Sequence, residues 1–202
     1  MRDYARIDKY LDKLGLEIYP QPQDEGHSAL AAESINKFME LAKDVTSVLD
    51  LGCGEGFCQD YFVNMKYNGV CLHDDYATAK SLGRSVISAD FSFLPFSDQS
   101  YDFLYSRHSL EHSPIPLLTL MEWNRVTRKY LAIVVPAPEY WGFSGRNHYF
   151  VLNRRQWKNL FNVSGFSVIY EDVKLKKMFV EDDAKESSVE YWFLLEKKND
   201  SI

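Results

Sequence analysis

Val48-Leu49-Asp50-Leu51-Gly52-Cys53-Gly54-Glu55-Gly56 decides the fold. A short apolar run over 47–51 carries an acid near its end, and three alternating glycines follow. An amphipathic segment then begins near Gly56. The order reads as a buried strand, a tight turn and a helix. Glycines at such a turn accept positive φ and let backbone approach a ligand closely. The helix that follows presents N–H groups with no partner inside it. A small polar molecule is therefore expected across the carboxyl end of a parallel sheet. The spacing is G-x-G-x-G rather than the dinucleotide G-x-G-x-x-G, and no Gly-Lys-Ser/Thr ending marks a phosphate loop.

Outward from this turn, strands alternate with helices. Towards the N-terminus, helices are predicted over 3–14 and 28–43, the second with Ile35, Phe38, Met39 and Ala42 on one face. Towards the C-terminus a helix is predicted over 56–65, a strand over 69–73, a short helix over 76–82 and a strand over 85–89. Strand four is read at 101–106, a helix opening at Pro114 or Pro116 and reaching 127, and strand five at 130–135. An aromatic loop covers 137–152. Asn153 and Gln156 read as a capping box for a helix ending at Val163, with Gly165 as its C-terminal glycine. Strand six is read at 166–173, an acidic linker at 181–188 and strand seven at 189–196. Alternation of this kind gives an α/β, doubly wound parallel sheet, and the closing strand-linker-strand permits an antiparallel hairpin.

The chain has 202 residues, 46% of them apolar, which suits one globular domain. Residues 1–43 are read as an N-terminal helical cap and 45–202 as the core. No apolar run approaches the roughly 18 residues of a membrane span. The N-terminus lacks the apolar centre of a secretory signal. A net charge of −6 argues against a nucleic-acid partner. Cys53, Cys58 and Cys71 are odd in number without C-x-x-C spacing, so they read as reduced thiols of a cytoplasmic protein. A metal cluster of Cys53, Cys58 and His73 has no paired ligand spacing behind it, and no metal site is expected.

Further stretches match one family in the right order. They are Val86-Ile87-Ser88-Ala89-Asp90, then Leu94-Pro95-Phe96-Ser97-Asp98-Gln99-Ser100-Tyr101-Asp102, then Ser109-Leu110-Glu111-His112, and last Asn147-His148-Tyr149-Phe150-Val151-Leu152. With the glycine turn they resemble the class I S-adenosylmethionine-dependent methyltransferases, in the small-molecule branch called methyltransferase type 11. The resemblance spans about 45–168. It implies a Rossmann-like seven-stranded sheet of order 3-2-1-4-5-7-6 with strand seven antiparallel, S-adenosylmethionine as cofactor and a small-molecule acceptor. A methyltransferase-like binding module without turnover is the alternative.

The resemblance also implies roles. Asp50 and Gly52 match the amino-acid end of the cofactor, with Cys53, Gly54 and Gly56 beside it. Asp90 matches the adenine-amine acceptor and Phe91 N–H the partner of a ring nitrogen. Leu72 packs on adenine, and Ser106 closes strand four at the cofactor. Asp90 read alone is equally a loop acid capping the turn after it. The family's ribose-binding acid is missing: the best register places Cys71 there, and a thiol cannot accept two hydroxyl bonds well. Asp74 or His73 fills the slot in other registers, and Asp74 and Asp75 read alone are helix caps. His108, His112 and His148, with Glu111, are candidate bases. His148 and His108 are put forward as catalytic, against an ordinary structural role for each. Tyr140, Trp141 and Arg146 lie where the family builds its acceptor site, or else fold over the sheet end as core.

Overall fold

All five residues of β1 (Ser47–Leu51) are buried. A strand covered on both faces needs apolar residues throughout, which is why Val48, Leu49 and Leu51 follow no strict alternation. In the computed structural model, which describes residues 4–15, 25–141, 147–180 and 183–198, β1 pairs in parallel with β2 (Lys66–Cys71) and β4 (Tyr101–Arg107). With β3 (Val86–Ser88), β5 (Thr127–Pro136), β6 (Phe166–Val180) and β7 (Asp183–Lys197) they form one seven-stranded sheet of order β3-β2-β1-β4-β5-β7-β6. Strand β7 is antiparallel to both its neighbours. Order and direction agree with the expectation.

Helices α1 (Tyr4–Gly15), α2 (Glu25–Leu41), α3 (His73–Ser81), α4 (Pro116–Val126), α5 (Pro138–Trp141) and α6 (Arg154–Val163) complete the fold. One core layer joins Leu49, Leu51, Leu104, Leu131 and Phe193 to Trp123 of α4 and Trp157 and Phe161 of α6. The other joins Val48, Phe103, Tyr105, Val134 and Leu194 to Ala31, Ile35 and Phe38 of α2. The α2 face is the one its periodicity predicts, with Met39 at its margin. The capping box also forms: Asn153 accepts from Gln156 N, and Gln156 accepts from Asn153 N, each at 3.0 Å. Gly165 follows with φ of 91°. No described helix is long and apolar enough to cross a membrane.

Two expectations are corrected. The helix predicted over 56–65 is a short 3-10 turn, Phe57–Tyr61. It ends at Phe62, Asn64 follows in the left-handed region at φ of 63°, and β2 starts at Lys66 rather than Gly69. Phe62 stacks on Tyr67 at 5.9 Å, so both ends of this connection turn inward at once. The linker predicted over 181–188 is largely strand. Pairing from Leu175↔Ser188 to Val180↔Asp183 continues the hairpin past the sheet. Backbone pairing of two strands needs no apolar face, so polar composition conceals it.

Candidate active site

The carboxyl edge is built around the glycine turn. Gly52, Gly54 and Gly56 all lie at positive φ, at 72°, 53° and 78°. A Cβ on Gly52 would collide with Ser109 Oγ, so the turn and the segment after β4 touch directly. A Cβ on Gly54 meets nothing within 4 Å. Packing therefore does not demand glycine at 54. The backbone conformation does, and open space lies in front of it. His73 after β2 and His108 after β4 also sit at φ of 51° and 50°.

A cavity of about 450 Å³ opens on this edge. Asp8, Leu11 and Asp12 of α1 form one wall; Leu72, His73, Asp90 and Phe93 form the other. Asp90 Oδ1 accepts from Ser92 N at 2.7 Å, so the loop-capping role is filled and Oδ2 remains for a ligand. The Phe91 ring meets Trp123 edge-on at 5.9 Å, and its carbonyl accepts from Trp123 Nε1 at 2.8 Å. The same ring stands beside Gly52. Cys71 closes β2, as the best register requires, but its thiol is buried with Cys53, Ala79 and Val86 beneath α3. Asp74 is exposed on the first turn of α3. Of the three residues considered for the ribose slot, His73 lines the cavity.

Asp50 is buried at 2% exposure and accepts from Tyr67 Oη at 2.7 Å. Burial pushes its carboxyl up to about 7, against the hydrogen bonds of Tyr67 and Cys58. A cation brought to this strand end would favour its charged form. Ser106 is different. It is wholly enclosed between Leu51 and Ile133, and its hydroxyl has no hydrogen-bond partner among the described residues. It does not line the cavity.

A second constellation lies where β4, β5 and β7 end. Glu190 Oε1 accepts from Arg107 Nη2 at 2.5 Å and pairs with His108 Nε2 at 2.8 Å, while Trp192 Nε1 donates to Oε2 at 2.9 Å. Burial opposes the charge of Glu190, but His108 and Arg107 prevail and lower its carboxyl to about 2. Burial likewise pulls His108 down, but Glu111 and Glu190 outweigh it and raise the imidazole above its ordinary value. Two carboxylates thus favour the charged imidazole at the end of β4. His112 Nδ1 stands 3.1 Å from the Asn147 carbonyl, and the His112 and His148 rings meet edge-on at 4.7 Å. Tyr149 N and Phe150 N both donate to the Glu111 carbonyl, at 2.9 and 3.1 Å. These bonds draw Asn147, His148 and Tyr149 to the end of β4. Tyr140 and Trp141 belong to α5, which Glu139 ties to Tyr191 Oη of β7 at 2.6 Å. Their side chains, and Arg146 altogether, lie outside the described residues.

Arg107, Glu190 and Tyr67 escaped the sequence reading. Glu190 left a signal: it is a lone acid in the otherwise apolar run Val189-Glu190-Tyr191-Trp192-Phe193-Leu194-Leu195. An acid in a buried strand requires a partner.

Residues 49–133 match a family described as a methyltransferase domain. Malonyl-[acyl-carrier protein] O-methyltransferase of Hamiltonella defensa is 30% identical over 115 residues, which is 50% of this chain. The chain spans only 44% of that relative's length. Among solved structures, the YcgJ protein of Bacillus subtilis superposes with a TM-score of 0.69 at 13% identity, over 84% of this chain and 99% of its own. An S-adenosylmethionine-dependent methyltransferase of Archaeoglobus fulgidus gives 0.66 at 17% identity, over 84% and 94%. At such identities the structural matches speak for the fold.

Proposed function

We propose that this chain is a class I methyltransferase that transfers a methyl group from S-adenosylmethionine to an oxygen of a small-molecule acceptor. The carrying observation is Gly54, left-handed, with open space before it, on the same sheet edge as the cavity that Leu72, His73 and Asp90 line. Bound S-adenosylmethionine supplies a methyl made electrophilic by its sulfonium, so the protein's task is binding, alignment and exclusion of water.

The residues present suit that ligand. Asp50, a buried acid lacking a cation, and the Gly52 carbonyl receive the amino-acid end, while Cys53, Gly54 and Gly56 offer backbone edge. Leu72 and Phe93 pack on adenine, Asp90 Oδ2 takes its amine and Phe91 N–H its ring nitrogen. His73 or Asp74 serves the ribose in place of the missing acid. Leu11 of α1 covers the ligand. The acceptor lies beyond Ser109, beside the Glu111–His112–His148 group, with Tyr140, Trp141 and Arg146 the contacts that the family resemblance assigns to it. His108 holds this wall in place through Glu190. An oxygen acceptor is supported by the O-methyltransferase relative. The negative charge and the absence of a basic motif support a small molecule over nucleic acid.

Calorimetry tests the reading. Wild-type protein should bind S-adenosylmethionine, and Gly54→Val should fold by circular dichroism yet show no measurable binding. Equal affinity in the two proteins would overturn the proposal.

A further inference from the structure

We propose that Glu111, His112 and His148 form a binding site for a first-row divalent transition-metal cation beside the glycine turn. Each residue offers a ligand atom, and these atoms lie within 4.8 Å of one another. Metal bonds of about 2.0–2.2 Å place paired ligands about 3–3.5 Å apart. A contraction on the order of an ångström therefore closes the site, and both imidazoles are only half-buried.

Two features support a ligand here. Glu111 is completely buried, yet neither carboxylate oxygen has a hydrogen-bond partner among the described residues. The nearest cation, His108 Nδ1, stands 3.5 Å away, an ion-pair separation rather than a hydrogen bond. His108 meanwhile gives its other nitrogen to Glu190 at 2.8 Å, and Arg107 also goes to Glu190. Glu111 is thus left with the weaker share of local positive charge. A buried carboxylate whose one ion-pair partner stands 3.5 Å off is under-satisfied, and a bound ion is one remedy. The second feature is His112. Its Nδ1 faces the Asn147 carbonyl at 3.1 Å, which makes Nδ1 the protonated nitrogen and leaves Nε2 its lone pair. Metal-binding histidines are oriented in this way, through a carbonyl on the other ring nitrogen.

Two imidazoles and one carboxylate select Zn²⁺, Co²⁺, Mn²⁺ or Fe²⁺ over Mg²⁺ and Ca²⁺, which take oxygen ligands. Three protein ligands leave at least one position open. That open position belongs to a trio whose chain neighbour Ser109 packs against Gly52 of the glycine turn. An acceptor oxygen is its natural occupant, a statement that rests on the methyl-transfer reading; the cation site itself does not. With a cation bound, His148 acts as ligand rather than base.

The test uses the full chain, dialysed against chelator and titrated with Co²⁺ alone. Wild-type protein should bind one equivalent with visible d–d absorption, and Zn²⁺ should abolish that absorption. Glu111→Gln, His112→Gln and His148→Gln should each weaken binding by about 100-fold or more, beyond the loss typical of outer-shell partners. Glu171→Gln, on β6 and outside the trio, should bind as wild type. If Glu111→Gln fails to fold, the two histidine variants still decide. No Co²⁺ binding to wild type, or unchanged binding in folded His112→Gln and His148→Gln, would overturn the site. Calorimetry with S-adenosylmethionine runs in parallel. Cation binding without cofactor binding sinks methyl transfer and leaves the site standing; the reverse sinks the site alone.

Discussion

Asp50 carries the clearest titration at the cavity edge. Its folded carboxyl sits near 7, against an ordinary value near 3.8. The native state keeps a proton that the unfolded chain has already lost. Stability from this group is therefore full below about pH 4, falls as pH rises, and is gone above about 7. The shift corresponds to roughly 4 kcal/mol at most. Asp50→Asn removes that penalty. Its melting temperature should exceed that of the wild type at pH 8 and match it near pH 4, while S-adenosylmethionine binds more weakly. A variant no more stable than wild type at pH 8 would show that Asp50 is not raised. The ammonium of the ligand should also drive Asp50 to its charged form. Calorimetry at pH 6 in two buffers of different ionisation enthalpy should detect proton release that Asp50→Asn lacks. Asp90 is the simpler case. Asp90→Ala should cost about 1–3 kcal/mol of cofactor affinity, the range for a lost hydrogen bond that leaves a buried partner unpaired.

Among the elements, α1 is the one whose importance lies in ligand binding more than in folding. Its residues 5–10 are exposed, including Ile7 at 43% and Tyr10 at 60%, whereas Leu11 and Leu14 are half-buried. Leu11, Asp8 and Asp12 line the cavity. Leu11→Asp should leave the ligand-free melting temperature within about 2 °C of wild type, as for a surface change. It should weaken S-adenosylmethionine by roughly tenfold, the equivalent of about half a buried leucine side chain. Loss of the fold, with affinity preserved in what survives, would place α1 in the core instead. The elements also show what local sequence discloses. Helix α2 was legible because Ile35, Phe38 and Ala42 repeat at helical spacing and meet the sheet. Helix α6 was legible from Asn153 and Gln156, whose side chains bond within the same turn. The stretch 56–65 misled because its helical pattern ends at Phe62, which packs on Tyr67. That stop is tertiary, and no local rule contains it.

At the level of the whole molecule, the two edges of the sheet divide the work. The carboxyl edge was legible down to its glycine turn because Gly52, Gly54 and Gly56 meet a backbone requirement written locally. Its second constellation was not, since His108 meets Glu190 across 82 residues of chain. Strand order came from resemblance, because parallel pairing leaves no trace in periodicity. The opposite edge is fastened by Asp102, buried at 3% exposure. Its carboxylate accepts from Thr46 N at 3.0 Å, Thr46 Oγ1 at 2.7 Å, Ser47 Oγ at 3.2 Å and Arg128 Nη1 at 2.5 Å. It thereby joins β4 to the start of β1 and to β5. Burial opposes its charge, but these donors prevail and hold the carboxyl well below the usual carboxylate range. Its contribution is present at neutral pH and lost as pH falls below about 4, the opposite sign to Asp50. Asp102→Ala should cost about 3 kcal/mol, since it strands Arg128 and the Thr46 donors. In a domain of this size that lowers the melting temperature by roughly 6–12 °C. The affinity for S-adenosylmethionine should stay within about twofold, because sites with no shared partner add independently. A tenfold change in affinity would mean that the sheet transmits strain from one edge to the other, and that stability and binding are not separately encoded.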